Sequence, residues 1–321
     1  MRTFSIGSRG SALALWQAEH VREALQKRHT GLQVQIVTIR TRGDRVQGVP
    51  LSSMGDTGIF TKEIEKALLD GAIDAAVHSL KDLPTRAADG LSIAAIPERE
   101  DPADALVSNA AAAIEDLPRG ANVLTGSPRR RAMLLHERPD LVVGDIRGNV
   151  ETRLRKFDEG AADAILLARA GLVRLGLGSR IAGRLDPELF VSACGQGALA
   201  VEIRAADDYA ASLCRAIDHA PSRLATGAER AFLAVLEGGC RIPIGAYARF
   251  AGAEENLKIT GVVASLDGRR LVRRAVSGPA GTEGQAADLG RRLAQTALEA
   301  GGQEILDEIR AQAAAQREDD R

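Results

Sequence analysis

Short apolar runs alternate with stretches of helical apolar spacing along the first hundred residues of the chain. The run over 3–6 and the alternation that begins at 31–32 predict strands, and the spacing over 12–27 predicts a helix between them. Residues 60–69 predict a second helix, and residues 75–78 predict a buried strand. This order of strands and helices is typical of an α/β domain.

The alternation returns after a polar, proline-bounded segment at 97–102, which we interpret as a hinge between domains. The second α/β unit is predicted to contain, in chain order, a strand at 122–124, a helix opened by Pro128, a strand at 141–143, a helix at 150–158 and a strand at 164–167. A glycine-rich loop at 192–197 follows. We expect the next strand, at 199–203, to return to the first sheet.

The last third of the chain has a different order of elements. Its predicted elements are a helix at 223–236, strands at 257–264 and 270–276, and helices at 285–300 and 303–311. Asp267-Gly268 between the two strands is a strong hairpin signal. We therefore expect a small α+β domain at this end of the chain, in which Cys240 follows the first helix.

Composition narrows the class of protein. The 321 residues are too many for one ordinary core, so two or three domains are expected. A hydrophobic content of 45% with 26% charged residues is usual for soluble globular proteins. Three cysteines, no secretory leader and no apolar run of spanning length predict a reduced cytoplasmic protein without a membrane partner. A net charge of −1 and an aromatic content of 3% argue against a nucleic-acid partner.

Three polar loops, at 7–11, 125–131 and 145–149, lie where a predicted strand leads into a helix, with Arg153 one turn beyond the last. Free N–H groups and partial positive charge at a helix N-terminus attract anions. Arginine adds bidentate recognition of carboxylate or phosphate, although each arginine could instead be a solvated surface residue. The chain has neither a Walker A nor a GxGxxG sequence, so a multiply charged small molecule is favoured over ATP or NAD.

Asp82 is the notable carboxylate, because it follows the buried strand at 75–78 through Ser79-Leu80-Lys81. Ligands bind at strand ends in open α/β sheets. A carboxylate among cations stays ionised and stabilises a developing positive charge. The alternative is a structural ion pair with Lys81 or an arginine.

Cys240 lies in a glycine-rich turn beside Arg241, whose charge favours the reactive thiolate. The alternative is a small buried apolar residue, which is what a free cysteine usually is. Cys194, beside Gly195-Gln196-Gly197, is the rival thiol, and Cys214 is expected in the core. The histidines and cysteines show no metal-binding spacing, so we expect no metal.

Six short motifs follow one another across nearly the whole chain. They are Arg9-Gly10-Ser11 with Leu13-Ala14-Leu15-Trp16-Gln17, His78-Ser79-Leu80-Lys81-Asp82-Leu83-Pro84, Ser127 with Arg129-Arg130, Arg147-Gly148-Asn149 with Arg153, Gly195-Gln196-Gly197, and Leu236-Glu237-Gly238-Gly239-Cys240 with Pro243-Ile244-Gly245. In this order they resemble the porphobilinogen deaminase family, which is also called hydroxymethylbilane synthase.

The resemblance implies two α/β lobes like those of type II periplasmic binding proteins, facing each other across a cleft, plus a small α+β domain. The domains would comprise residues 1–97 with 198–215, residues 103–191, and residues 220–321. The implied reaction condenses four porphobilinogen molecules, with release of ammonia, into the linear tetrapyrrole hydroxymethylbilane, and we expect a monomer. The implied cofactor is a dipyrromethane, built from two porphobilinogens and held by a thioether to the cysteine that matches Cys240.

The resemblance also implies roles for individual residues. Asp82 would be the catalytic carboxylate, which hydrogen-bonds pyrrole N–H groups and stabilises cationic intermediates. The acid side chains of cofactor and substrate would be bound by Arg9, Arg129, Arg130, Arg147 and Arg153, with Arg174 assisting chain growth. Further polar contacts would come from Ser11, Gln17, Ser79, Lys81, Thr125, Ser127 and Gln196.

The chain departs from many family members in the loop at 55–60, where Thr57 replaces a lysine. This departure puts in question the gating by that loop and any cation that it lends the site. Two other functions stay open. A non-catalytic binding protein for a polycarboxylate would bind its ligand reversibly without a covalent adduct, whereas a transferase acting through Cys194 would lose activity when that thiol is alkylated.

Overall fold

The computed structural model describes residues 3–41, 61–236, 242–250 and 256–319. The strands in these ranges are β1 (Phe4–Ser8), β2 (Val34–Thr38), β3 (Ala75–Ser79), β4 (Leu91–Ala95), β5 (Asp104–Ser108), β6 (Asn122–Leu124), β7 (Val142–Gly144), β8 (Ala164–Ala168), β9 (Gly183–Leu185), β10 (Leu199–Arg204), β11 (Ile244–Phe250), β12 (Asn256–Ala264) and β13 (Leu271–Pro279). The helices are α1 (Ala12–Arg28), α2 (Lys62–Leu69), α3 (Pro128–Glu137), α4 (Val150–Asp158), α5 (Arg169–Arg174), α6 (Asp208–Arg215), α7 (Ala220–Val235), α8 (Glu283–Ala297) and α9 (Gln303–Asp319). None of these helices is long and apolar enough to cross a membrane.

The first sheet has the strand order β2-β1-β3-β10-β4. β1 pairs in parallel with β2 and β3, whereas β10 is antiparallel to β3 and β4. The predicted return of residues 199–203 to this sheet is confirmed. Phe4 and Ile6 of β1 lie in one apolar core with Val21 and Leu25 of α1, which fixes the helix against the sheet.

The second sheet has the order β7-β6-β8-β5-β9 and repeats the pattern of the first. β6 pairs in parallel with β7 and β8, and β5 is antiparallel to β8 and β9. In both sheets the antiparallel strand occupies the fourth position. The predicted α/β class, with two similar lobes, is confirmed.

Residues 97–102 connect β4 of the first sheet to β5 of the second. Neither strand was predicted from the sequence. β5 begins with Asp104, a residue type that is depleted in strands. Asp104 is nevertheless fully buried there, for a reason that the site geometry explains.

The third sheet, β11-β12-β13, is antiparallel throughout. The predicted hairpin between its last two strands is confirmed, with Gly268 at a φ of 72° and the Ser265 N–H donating to the Arg270 carbonyl at 2.9 Å. Phe232 of α7 and Leu293 of α8 pack in the core beneath this sheet. The chain turns between α8 and α9 at Gly301, where φ is 101°. The predicted α+β character of this part is therefore confirmed.

The chain divides into two compact units. The first comprises Met1–Asp101, Ala170–Gly178 and Gly195–Arg223, and the second comprises Pro102–Arg169, Ser179–Cys194 and Leu224–Arg321. The second and third sheets share a unit, within which Val262 of β12 joins the apolar core of the second sheet. The division into three domains with the boundaries given above stays a prediction.

Helix α8 approaches α7 closely at Gly290, where an added Cβ would lie 2.1 Å from the carbonyl oxygen of Ala228. We expect Gly290→Ala to lower the free energy of unfolding by about 1–3 kcal/mol, because the two helices must move apart. Thermal unfolding followed by circular dichroism measures this change.

The matched control is Gly227→Ala on α7, because no atom outside its own helix lies within 4 Å of the added Cβ. This variant should unfold at the same or a higher temperature, since alanine favours helix over glycine. Equal unfolding temperatures for the two variants would contradict the close packing that holds α7 in place.

Candidate active site

Asp82 lies at the end of β3, where the chain turns through a short 3₁₀ helix at Leu80–Asp82. The fully buried side chain of Leu80 anchors this turn, and the Leu83 N–H donates to the Leu80 carbonyl at 3.2 Å. The Asp82 side chain is exposed. Within the described part of the chain its carboxylate has no ion pair, so the alternative of a structural pair with Lys81 or an arginine is not seen among these residues.

Four of the predicted polar residues lie around this turn in two hydrogen-bonded pairs. The buried Gln17 of α1 donates from Nε2 to the Ser79 hydroxyl at 2.9 Å. Lys81 donates from Nζ to Oε1 of the buried Gln196 at 3.3 Å. The structure therefore brings α1, the end of β3 and the glycine-rich loop together at Asp82.

The glycine-rich loop requires its two glycines. Gly195 and Gly197 have φ values of 73° and 85°, which other residues rarely adopt. A Cβ at Gly197 would lie 2.3 Å from the Glu100 carbonyl oxygen, and one at Gly195 would press on Leu80 at 3.1 Å. The loop therefore packs directly on the turn that presents Asp82.

Arg174 lies at the same loop. Its guanidinium donates from Nη2 to the Gly197 carbonyl at 2.6 Å and lies 5.7 Å from the centre of the Trp16 ring. Burial lowers the pKa of Arg174 to about 10, against the opposing effect of Glu100. The group is therefore a cation held in a partly apolar place, next to the predicted catalytic turn.

Arg9 and Ser11 belong to the loop between β1 and α1. Ser11 is the N-cap of α1, and its hydroxyl accepts from the Ala14 N–H at 3.3 Å. Arg9 is half-buried. The predicted strand-to-helix loop is thus present in the first unit, with a capping hydroxyl beside an arginine.

The second unit holds the other two predicted loops in contact. Ser127 caps α3 by accepting from the Arg130 N–H at 3.4 Å, and Asn149 caps α4 by accepting from the Thr152 N–H at 2.8 Å. A Cβ at Gly126 would lie 2.8 Å from the Ile146 carbonyl oxygen. The two helix N-termini therefore meet where Gly126 lacks a side chain.

The arginines of these loops are half-buried and held by nearby acceptors. Arg147 donates from Nε to Oδ2 of Asp145 at 2.7 Å, and Arg153 donates from Nε to the Gly148 carbonyl at 2.8 Å. The buried Thr125 accepts at Oγ1 from the Ser127 N–H at 3.3 Å. Two guanidinium groups and two hydroxyls thus surround paired helix N-termini, a set of donors suited to carboxylates.

Arg129 and Arg130 differ from the other loop arginines because both are buried around one carboxylate. Asp104 forms ion pairs of 2.8 Å with Arg129 Nη2 and 2.7 Å with Arg130 Nη2. Arg129 also donates to the Val191 carbonyl at 2.7 Å, and burial lowers its pKa while Asp104 opposes that change. These contacts explain why β5 can begin with a buried aspartate.

Cys240, Arg241 and the loop that contains Thr57 lie outside the described residues. The segment that follows Cys240 is described from Ile242 onward, and it includes Gly245 at the second residue of β11. A Cβ at Gly245 would lie 2.7 Å from the Ser192 carbonyl oxygen and 2.8 Å from Cδ of Arg129. The chain leading away from Cys240 therefore packs on the Arg129 and Asp104 cluster.

The other two cysteines are buried. Cys214 lies in the core of the first sheet, as predicted, and burial raises the pKa of its thiol to about 12, with Asp207 adding to the shift. Cys194 lies in the core beneath the third sheet. Among the residues described, no cluster of histidine, cysteine or acidic side chains suits a metal ion.

Sequence reasoning missed two acids that organise the arginines, Asp104 and Asp145. Asp145 lies inside the loop at 145–149, which is predicted to bind anions. An acid so close to Arg147 in the sequence indicates that the two side chains can form an ion pair. Asp104 gave no such signal, because it opens a strand that the sequence did not predict. Its role appears only when β5 and α3 are placed side by side.

The only tryptophan of the chain, Trp16, stacks on His20 with ring centres 5.1 Å apart. Partial burial lowers the pKa of His20 below its usual 6.5, Arg174 lowers it further, and Glu23 opposes them.

We expect tryptophan fluorescence to fall as the pH drops through a midpoint below 6.5, because a charged imidazole quenches a stacked indole. The transition should disappear in His20→Gln, and its persistence there would show that another group causes it.

Two family models match the chain. They are "Porphobilinogen deaminase, dipyromethane cofactor binding domain" over residues 4–212 and "Porphobilinogen deaminase, C-terminal domain" over residues 224–299. Curated relatives named porphobilinogen deaminase include proteins of Pelobacter propionicus, 48% identical over 96% of this chain and 97% of theirs, and Moorella thermoacetica, 49% identical over 97% and 98%. The relative from Nitratidesulfovibrio vulgaris strain Hildenborough is 46% identical over 99% of this chain and 100% of its own.

The solved structure of the methionine-binding protein MetQ is similar over 66% of this chain and 88% of its own, with 14% identity and a TM-score of 0.42. A likeness of that size has no bearing on function. The family models and the relatives cover both lobes and the C-terminal part at high identity. The chain therefore belongs to the porphobilinogen deaminase family.

Proposed function

We propose that the chain is a transferase that condenses four porphobilinogen molecules, with release of ammonia, into the linear tetrapyrrole hydroxymethylbilane. The observation that carries the proposal is the exposed Asp82 carboxylate at the end of β3, held on a turn between Leu80 and the glycine-rich loop. Family membership supports this substrate, since relatives that match nearly the full chain are named porphobilinogen deaminase. The binding-protein alternative has only a likeness of fold in its favour.

Asp82 has the chemistry that this reaction needs. Loss of ammonia from the aminomethyl group of porphobilinogen leaves a positive charge that is delocalised over the pyrrole ring and its N–H. A carboxylate placed at that N–H stabilises the charge as it develops. Because Leu80 is buried and Gly195 packs on it, the turn holds Asp82 in one place while successive substrates arrive.

The second unit supplies donors that fit the acid groups of the dipyrromethane cofactor, for which the first family model is named, and of the substrate units that are joined to it. Each pyrrole unit of that cofactor carries two carboxylates. Arg147 and Arg153 are half-buried beside two capped helix N-termini, and Thr125 and Ser127 add hydroxyls. When bound, the cofactor supplies the pyrrole carbon to which the first substrate is joined.

The remaining predicted residues receive supporting roles in this proposal. Cys240 anchors the cofactor through a thioether. Gly245 packs on Arg129, and this contact holds the segment after Cys240 against the loop at 125–131. Arg129 and Arg130 add positive charge to that loop while Asp104 holds their guanidinium groups. The polar contacts to substrate acids in the first unit come from Arg9, Ser11, Gln17, Ser79, Lys81, Arg174 and Gln196. We further propose that the enzyme acts as a monomer in the cytoplasm.

Asp82→Glu tests the catalytic role. The longer side chain keeps the charge but moves the carboxylate by about 1 Å, a displacement that costs roughly 10²-fold in rate. We expect kcat to fall by that order while the mass that the cofactor adds to the protein stays unchanged. Asp89→Glu, at an exposed acid of the same unit, is the matched control and should keep its rate. Near-normal turnover by Asp82→Glu would exclude the assigned role.

Cys240→Ser tests the cofactor and its anchor. Intact-protein mass spectrometry should find the wild-type protein heavier than its sequence by one dipyrromethane, and Cys240→Ser should lack this addition and be inactive. Cys194→Ala is the control, because that buried thiol should leave the adduct in place. An active Cys240→Ser protein without the adduct would refute the anchor, and loss of the adduct in Cys194→Ala alone would favour the rival thiol.

A further inference from the structure

One acid lies inside the donor set that is proposed for ligand carboxylates. Asp145 is the first residue of the loop at 145–149, and its Oδ2 accepts from Arg147 Nε at 2.7 Å. Of the two side chains, Arg147 is 34% exposed and Asp145 is 52% exposed, so solvent and small solutes reach the pair. A guanidinium assigned to a ligand acid is therefore already bound by a carboxylate of the chain itself.

The other oxygen of Asp145 is directed toward the neighbouring loop. A Cβ at Gly126 would lie 3.4 Å from Asp145 Oδ1 and 3.8 Å from Arg153 Nη2. Both groups therefore border the same small space, which is left by the missing side chain of Gly126. Asp145 lies where the two loops meet, which is also where an acid group of a ligand would be bound by Arg147 and Arg153.

The pair is suited to exchange. An exposed ion pair contributes only about 0–1 kcal/mol, and a carboxylate that binds arginine through both oxygens interacts more strongly. The backbone of the loop has its own supports, because Asn149 caps α4 and Lys156 donates from Nζ to the Arg147 carbonyl at 3.2 Å. Breaking the pair therefore frees the Arg147 side chain without removing these supports.

We propose that Asp145 is an internal counter-ion, which occupies Arg147 until a ligand carboxylate displaces it and which thereby sets the affinity for substrate. The inference rests on the proposed function for the identity of that ligand, a pyrrole carrying acetate and propionate groups. The growing pyrrole product gains two carboxylates with each added unit. Arginines without an internal counter-ion would therefore bind it more tightly after every addition. An internal acid that competes for one of them limits this rise.

Asp145→Asn removes the competing charge and keeps the size of the side chain. We expect the KM for porphobilinogen to fall about two- to five-fold, the range that an exposed ion pair allows, with no rise in kcat. The difference should shrink at high ionic strength, because salt screens the competing charge. An unchanged or raised KM would overturn the proposal, since a raised KM would mean that Asp145 positions Arg147 for binding.

Asp158→Asn is the matched control. Asp158 is also 52% exposed, pairs with Arg180 in the same unit, and loses the same charge on substitution. It should keep the wild-type KM, and a fall equal to that of Asp145→Asn would attribute the effect to net charge alone. In an Arg147→Gln background, Asp145→Asn should no longer lower the KM, because the group for which it competes is gone.

Titration calorimetry with citrate gives the same comparison on the whole protein without turnover. Citrate should bind about two- to five-fold more tightly to Asp145→Asn than to the wild-type or Asp158→Asn proteins. Equal citrate affinities would overturn the inference even if the condensation reaction were confirmed. A wild-type protein that binds citrate as expected but does not consume porphobilinogen would refute the proposed reaction instead.

Discussion

The second unit depends on one buried carboxylate that is shared by two buried arginines. Asp104 opens β5, and its ion pairs hold Arg129 and Arg130 at the start of α3. Arg130 also donates to the Leu166 carbonyl of β8, and Gly245 packs on Arg129. Removing one partner of such a buried cluster costs on the order of 3–5 kcal/mol, because a charge is left without compensation. This cluster therefore fixes the loop at 125–131 against the second sheet. It also fixes the chain that leads away from Cys240 against that loop and that sheet.

The arginines of the family motifs fall into two classes that differ in burial. Arg129 and Arg130 are buried and make their hydrogen bonds inside the protein, so their charge acts on a ligand from a fixed place. Arg147 and Arg153 are half-buried, and acceptors at the loop surface hold their side chains. In the proposed function a polyanionic ligand meets both kinds of group, because the buried charges set the field and the half-buried guanidinium groups form the contacts. A net charge of −1 for the whole chain shows that this cationic character is local.

Much of the fold follows from patterns that can be read directly along the chain. The helix over 150–158 has the bounds that Asn149 and Gly160 predict, and the Asp267-Gly268 hairpin forms where the turn residues require it. β5 could not be predicted, because the burial of Asp104 depends on arginines that are distant in sequence. The family motifs predict the same anion-binding role for Arg129 and Arg147, whereas only the three-dimensional packing separates the buried ion pair of Arg129 from the partly exposed pair of Arg147. The contact of Arg174 with Trp16 likewise joins residues that no spacing rule connects, whereas Trp16 and His20 are i,i+4 neighbours on α1.

Three aspartates show how the environment assigns different roles to one side chain. Asp104 is fully buried with two cations, and the cost of disturbing it makes it a structural element. Asp145 is half in solvent with one cation, so its pair is weak enough to be exchanged for a ligand acid. Asp82 is exposed on a rigid turn and has no ion pair among the described residues, so its carboxylate is available to a charge that exists only during the reaction. In the proposed function the same functional group therefore provides a scaffold, a competitor and a catalyst, and the number of cations within reach separates the three roles.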